Sequence, residues 1–312
     1  MQIIKDTINF RIDEPAVVTI GKFDGIHKGH ARIFKSMRKY RDRGLVPVVF
    51  TFDMPVSRVI HGTESRVLTT RQEKRYIFEQ MGVEYLIEFP FNEMTASISA
   101  EEFIDDFMVE SMNMKAIVMG SDCRFGHRGV GTPDMLARYA HNYGYEIEVI
   151  GKYEMGGERV SSTRIRDFIE KGDIVRANEL LLYPYFFYGT VVEGNKLGRT
   201  IGIPTVNLVP RESKLLPPNG VYYSRVELSG RKYNAISNIG RKPTLGGGNY
   251  TAIGIETYIY DFDRDAYGEE LTVSLYEYVR PEMRFASLDE LKNRLESDIR
   301  SGENWHKNNP QQ

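Results

Sequence analysis

Apolar residues fall in short unbroken runs through the first half of the chain and in alternation through much of the second. Ala16–Ile20 (AVVTI), Leu45–Thr51 (LVPVVFT), Val83–Phe89, Lys115–Met119 (KAIVM) and Tyr145–Ile150 have the character of strands buried on both faces. Between them, residues 28–42, 70–81, 99–111 and 133–142 read as helices. Gly82 stops the second, and Ser99-Ala-Glu-Glu102 spells a capping box at the start of the third. This β-α-β-α rhythm predicts a parallel sheet with helices on both faces. Ligands of such sheets sit beyond the carboxyl ends of the strands, here residues 21–30, 52–58, 120–131 and the segment after Ile150.

After a helix-like stretch at 173–182 comes an aromatic and β-branched run, YPYFFYGTVVEG. Val221–Leu228 and Lys232–Asn238 flank Ser229-Gly230-Arg231, a hairpin signature. Ile253, Ile255, Thr257 and Ile259 alternate with Gly254, Glu256, Tyr258 and Tyr260, and Leu271, Val273 and Leu275 alternate in the same way. Period two predicts an antiparallel sheet or barrel. Leu288, Leu291, Leu295 and Ile299 then recur at helical spacing, so 286–300 is a packed helix, capped by Ser287 with Glu290. The tail from His306 to Gln312 is polar and reads as frayed. The fold class is therefore α/β plus β, with domains at 1–183 and 184–312 and a boundary near Tyr183-Pro184.

Composition narrows the function classes. The net charge of −2 offers no global attraction to nucleic acid or to an acidic membrane surface. The single cysteine, Cys123, excludes an intrachain disulfide and fits a reducing cytoplasm. Residues 1–15 have no apolar core of a secretory leader, and no apolar run is long enough to span a bilayer.

Two segments carry chemistry. The first is Gly21-Lys-Phe-Asp-Gly-Ile-His-Lys-Gly-His30, a glycine-broken turn between a strand and a helix. Such a turn aims backbone N–H groups and a positive helix end at an anion. His27 and His30 lie on one side of the helical turn, where two imidazoles can donate to phosphate oxygens as charge builds. The plain alternative is a pair of surface histidines. The second is Gly189-Thr-Val-Val-Glu-Gly-Asn-Lys-Leu-Gly-Arg-Thr-Ile-Gly-Ile-Pro-Thr-Val-Asn-Leu208. Gly194, Gly198 and Gly202 suit a loop wrapped around phosphates, with Lys196 and Arg199 supplying charge. Thr205 and Asn207, two apart on extended chain, point the same way and offer hard oxygen ligands for Mg²⁺ carried by ATP. A glycine-bearing hairpin with a proline kink would look much the same.

The first segment resembles the HxGH signature of the nucleotidylyltransferase superfamily. In its longer form, G-x-F-D-G-x-H-x-G-H, it is similar to the bacterial bifunctional riboflavin kinase/FAD synthetase family. The resemblance implies a Rossmann-like nucleotidyltransferase domain in which Gly21, Phe23, Asp24, Gly25, His27 and His30 bind ATP phosphates and promote attack by FMN on the α-phosphorus. It extends to Gly120-Ser-Asp-Cys-Arg-Phe-Gly-His-Arg128, similar to the family's G-x-D-F-x-F-G nucleotide loop with Cys123 in place of the first aromatic. Gly120, Asp122, Phe125 and Arg128 take nucleotide-binding roles by that likeness. Ser161-Ser-Thr-Arg-Ile-Arg166 looks like the S-S-T-x-x-R motif, which implies that Ser162, Thr163 and Arg166 hold ATP phosphates. One departure stands out: Thr51-Phe-Asp-Met-Pro-Val56 lacks the His-Pro pair of the family's T-F-x-P-H-P.

The second segment resembles riboflavin kinase, with Pro-Thr-Val-Asn in place of the common PTAN. Asn219-Gly-Val-Tyr222, Asn238-Ile-Gly240 with Lys242-Pro-Thr244, and Tyr267-Gly268 match that domain in order. The likeness implies Glu256 as the base on the ribityl 5′-hydroxyl, and Asn238 and Arg280 near the flavin. By alternation alone, Glu256 could face solvent, as could Arg280. The whole predicts Mg²⁺-dependent conversion of riboflavin to FMN and of FMN to FAD with ATP, by a cytoplasmic monomer or weak homo-oligomer that binds neither nucleic acid nor membrane. A riboflavin kinase alone, a flavin-binding regulator and, more distantly, a dehydrogenase are the competing readings.

Overall fold

Five residues in sequence, four of them apolar and all fully buried or nearly so, make the strand at Ala16–Ile20 the centre of the first sheet. In the computed structural model, residues 1–54, 66–195, 197–243 and 251–310 are described, without the side chains of 197, 241–243, 251 and 252. The chain divides into two compact units, residues 1–162 and 163–312.

The first unit contains β1 (Gln2–Lys5), β2 (Ala16–Ile20), β3 (Val46–Phe52), β4 (Tyr85–Phe89), β5 (Met114–Gly120) and β6 (Glu146–Ile150). They form one six-stranded sheet in the order β1-β4-β3-β2-β5-β6, with every pair parallel. The chain builds outward from β2 through β3 to β4 and then returns to β2's other side as β5. The order therefore reverses between β2 and β5, and a ligand crevice belongs at the carboxyl ends of those two strands. Helices α1 (Lys28–Arg41), α2 (Arg71–Gln80), α3 (Glu93–Ala96), α4 (Ala100–Glu102) and α5 (Pro133–Tyr143) join them. α4 runs on as a π-helix over Phe103–Ser111, which sends Phe103, Ile104, Phe107 and Met108 into the core beside Phe50 and Phe89. Thr70 opens α2 with a full capping box: its hydroxyl takes the Glu73 N–H, and the Glu73 carboxylate takes the Thr70 N–H. β1, not foreseen from the apolar runs, pairs on the sheet edge.

The second unit contains α6 (Ser162–Glu170), which falls on the division, then α7 (Ile174–Leu180), β9 (Phe186–Thr190), α8 (Leu197–Thr200), β10 (Val206–Leu208), β11 (Gly220–Leu228), β12 (Arg231–Pro243), β13 (Thr251–Ile259), β14 (Glu270–Pro281) and α9 (Leu288–Asn308). The short pair β7 (Glu154–Met155) and β8 (Glu158–Arg159) closes the first unit. The six longer strands run antiparallel in the order β10-β13-β12-β11-β14-β9. A single bridge between Val192, just past β9, and Asn207 of β10 links the two ends, so the predicted sheet or barrel is a nearly closed barrel. Inside, the buried hydroxyls of Ser224, Ser237 and Thr257 form a ladder with separations of 2.7 and 2.8 Å. α7 belongs with this barrel because Asn178 Nδ2 donates to Leu275 O (2.8 Å) and Tyr185 N–H donates to Asn178 Oδ1 (2.7 Å). The division of contacts thus comes earlier than the aromatic run that marks the change of sequence pattern.

The last helix corrects an expectation. It does not end near residue 300 with a frayed tail, but continues to Asn308. Trp305 Nε1–H donates to Glu277 (2.7 Å), and His306, 5% exposed, meets Ala235 O at 2.9 Å. These tertiary bonds order residues whose sequence is polar. Among the described residues no helix is long and apolar enough to cross a membrane.

Candidate functional site

In the first unit, the segment after β2 is pinned from every side. The Lys22 carbonyl accepts from Lys74 Nζ (2.6 Å) and from Thr51 Oγ1 (3.4 Å). The Asp24 carboxylate takes the Thr69 N–H (3.1 Å), and its carbonyl takes the Ser162 hydroxyl (2.6 Å). Gly25 N–H donates to Thr69 Oγ1 (2.9 Å). Between these anchors Phe23 sits at φ 47°, a left-handed conformation that a bulky side chain adopts only when its surroundings enforce it. Its ring is 2% exposed and packs against Phe34, Phe78 and His30. Phe23 therefore offers a ligand its backbone, not its ring.

His27 caps α1, and the two histidines form a reciprocal pair. His30 N–H donates to His27 Nδ1 (3.2 Å) and His27 N–H to His30 Nδ1 (3.4 Å), while the rings stack at 3.7 Å and 7°. An Nδ1 that accepts carries no proton, so each neutral ring holds its hydrogen on Nε2. Burial pushes the His27 imidazole down to about 4. Burial, and after it the neighbouring His27 and Lys74, hold His30 well below the usual range. The pair is thus two neutral N–H donors at physiological pH.

The loop after β5 comes to the same end of the sheet. Gly120 closes β5, and a Cβ there would lie 3.2 Å from the Asp122 carboxylate. Asp122 is exposed and ion-paired with Arg159, and both act electrostatically on His27. Phe125 lies in the core, 5.9 Å from Phe103, so it shapes the loop from behind. Arg128 is exposed at φ 53°. Cys123 is a half-buried thiol pushed up to about 11 by desolvation, with Sγ 3.7 Å from Ile20 O. Thr163 is exposed and Arg166 half-buried, both in α6 within the second unit. Pro55 and Val56 of the altered T-F-x-P-H-P segment lie outside the described residues.

In the second unit, strand register assembles the site. Asn207 stands opposite Glu256, Glu256 opposite Asn238, Asn238 opposite Val221, and Val221 opposite Arg280. Directly opposed residues share a face of the sheet. One row thus runs across β10, β13, β12, β11 and β14, and all five members line a cavity of about 320 Å³. Thr205 and Arg199 line it too, with the Arg199 guanidinium over the Tyr267 ring. Gly194 and Gly198 are there for close approach: a Cβ would stand 2.4 Å from Asn207 Nδ2 at the first and 2.2 Å from Ile203 O at the second. Leu197–Thr200 is one helical turn within a segment whose glycine spacing read as loop throughout. Lys196 lies outside the described residues. Arg280 is held by a neighbour: its Nε donates to both oxygens of Asp298 (3.1 and 3.0 Å), and Asp298 also pairs with Arg294. Among the described residues no group of three or more His, Cys, Asp or Glu side chains is placed to hold a metal ion by itself. The oxygens of Thr205 and the nearly buried Asn207 fit a cation that brings phosphate and water ligands of its own.

Three groups escaped the sequence reading. Thr69 and Lys74 anchor the first site from α2 and the residue before its cap; the T-x-x-E signature at Thr70–Glu73 could have marked this helix start as a fixed platform. Asp298 holds Arg280 from an ordinary amphipathic helix, and no local signal distinguishes it.

Comparison with known proteins agrees with the two-domain organisation. Residues 9–164 match the FAD synthetase family and residues 181–306 the riboflavin kinase family. The bifunctional riboflavin kinase/FMN adenylyltransferase of Listeria monocytogenes is 34% identical over 90% of each chain. That of Bacillus subtilis is 34% identical over 91% of this chain and 90% of its own. A crystal structure described as a macrolide-efflux protein from Streptococcus pneumoniae superposes with a TM-score of 0.83 at 34% identity, covering 97% of this chain and 98% of the other. With two matched domains, each carrying its own assembled site, the chain belongs to the bifunctional riboflavin kinase/FMN adenylyltransferase family.

Proposed function

We propose that the second unit transfers the γ-phosphoryl group of ATP to the ribityl 5′-hydroxyl of riboflavin, giving FMN and ADP. The first unit then transfers AMP from a second ATP to the FMN phosphate, giving FAD and pyrophosphate. The observation that carries this reading is the row Asn207–Glu256–Asn238, which sets one carboxylate between two amides on the wall of a cavity large enough for an organic substrate.

Glu256 takes the proton of the 5′-hydroxyl as that oxygen bonds to the γ-phosphorus and the bond to the β–γ bridging oxygen breaks. Thr205 and Asn207 hold Mg²⁺, which neutralises phosphate charge when bound with ATP. Gly194, Lys196, Gly198 and Arg199 surround the phosphates, while Asn238 and the Asp298-held Arg280 frame the flavin. In the first unit, an FMN phosphate oxygen bonds to the α-phosphorus as the bond to the α–β bridging oxygen breaks and pyrophosphate leaves. The Nε2–H groups of His27 and His30 donate to the oxygens on which charge builds. Gly21, Gly25, Gly120, Asp122 and Arg128 contact nucleotide, Phe23 and Phe125 shape the loops that do so, and Ser162 holds phosphate. Residues 1–183 and 184–312 are the working domains, and the enzyme acts in the cytoplasm.

The test supplies each half-reaction by itself. Riboflavin with Mg-ATP is expected to yield FMN and ADP, and FMN with Mg-ATP to yield FAD and pyrophosphate. FMN formed without any FAD would leave a riboflavin kinase alone, and the absence of both products would dismiss the reading.

A further inference from the structure

At the peptide joining Lys22 to Phe23, a long side chain sets the backbone orientation of the first site. Its carbonyl oxygen is drawn toward α2 by Lys74, whose ammonium donates to it at 2.6 Å. In a trans peptide the N–H points opposite to the C=O. A carbonyl held toward α2 therefore turns the Phe23 N–H away from it. That N–H has no hydrogen-bond partner among the described residues, although the residue is 2% exposed. Buried backbone donors are almost always paired, so an open one beside a left-handed residue marks a place prepared for an anion. Relaxation of Phe23 from φ 47° would rotate this same peptide and lose the donor.

We propose that Lys74 is a positioning residue for adenylyl transfer: by holding the Lys22 carbonyl, it keeps the Phe23 N–H aimed as a donor to phosphate. The inference rests on the adenylyl-transfer reading of the first unit. Asp24 balances the ammonium electrostatically, and Thr69 fixes Asp24 and Gly25 from the same side, so α2 and the residue before its cap hold the turn at Lys22, Asp24 and Gly25. The ammonium makes this single bond among the described residues, which leaves its charge facing the loop rather than spent in an ion pair.

The test compares Lys74→Met and Lys74→Arg in the full-length protein, with kcat and KM for ATP and for FMN measured in the FMN-to-FAD reaction. Riboflavin-to-FMN turnover of the same samples is the internal control for folding. Lys74→Met, which keeps the stem and loses the donor, is expected to lower kcat by about tenfold or more, the size of one charge-assisted hydrogen bond, with KM for FMN little changed. Lys74→Arg keeps a cationic donor and is expected to recover most of that kcat. FAD formation by Lys74→Met at the wild-type rate would overturn the proposal. So would loss in Lys74→Arg as deep as in Lys74→Met while the kinase control holds, because a donor at that place would then not matter. If Lys74→Met fails to fold, recovery in Lys74→Arg alone decides in the same way. Wild-type protein that makes no FAD from FMN would overturn the underlying reading instead.

Discussion

The two units build their candidate sites by opposite means. The first does so with one contiguous stretch of backbone. Gly21 to His30 leaves the carboxyl end of a parallel strand, and its carbonyls, N–H groups and capping rings are fixed by Lys74, by Ser162 and by the reciprocal bonds of His27 and His30. The second does so with side chains from five strands, brought into line by register alone. A site of the first kind depends on loop geometry and is disturbed by whatever releases the loop. A site of the second kind depends on the barrel, and single side chains in it can be exchanged without moving the rest.

Independence of the two sites is what substitution can break. The largest separation is expected from Glu256→Gln. Loss of a positioned base should cut riboflavin phosphorylation by about a hundredfold or more, while FMN-to-FAD turnover stays at wild type. Equal loss in both steps would refute separate sites. His30→Ala should give the mirror image, lowering FAD formation by about a hundredfold through loss of a neutral donor and of half the His27 cap, with kinase turnover intact. Asp298→Ala strands the Arg280 guanidinium beside Arg294 in a nearly closed setting, with side-chain exposures of 10% for Arg280 and 6% for Asp298. It should destabilise the barrel by about 3 kcal/mol in thermal or denaturant unfolding and leave the first unit's transition unmoved. Thr205→Ala should have a smaller effect, raising the Mg²⁺ concentration needed for half-maximal kinase rate and leaving that of FAD formation alone.

Acid sharpens the same contrast. The His27 ring has a folded-state value of about 4 against 6.5 for the free group. Between those values the unfolded chain binds more protons than the folded one, so stability rises with pH across the window. The contribution is complete above about pH 6.5 and is lost as pH falls toward 4. The FMN-to-FAD rate, by contrast, should show no limb from these histidines between pH 7 and 8, where both are neutral donors. Unfolding midpoints between about pH 4 and 6.5 and initial rates between pH 7 and 8 measure the two effects in turn.

Much of this was legible in the chain. The unbroken run Ala16–Ile20 and the alternating isoleucines of β13 foretold the parallel sheet and the barrel. What escaped depends on contacts distant in sequence. Phe23 and Phe125 stand inside nucleotide motifs, yet their rings belong to the core, and only packing shows that. Glu256 alternates as a solvent-facing residue would; its place between Asn207 and Asn238 follows from the pairing of three strands. The polar tail through His306 is helical because Glu277 and Ala235 receive its side chains. Lys74 looks like any cation on an exposed helix face until the Lys22 carbonyl is found beside it.

The most direct test of two working sites in one chain is a time course with riboflavin and Mg-ATP as the only substrates, with flavins separated by chromatography. FMN rising first and FAD following at its expense is the expected result. FMN that accumulates without FAD, even when FMN and fresh ATP are added directly, would contradict the account and leave the first unit without its reaction.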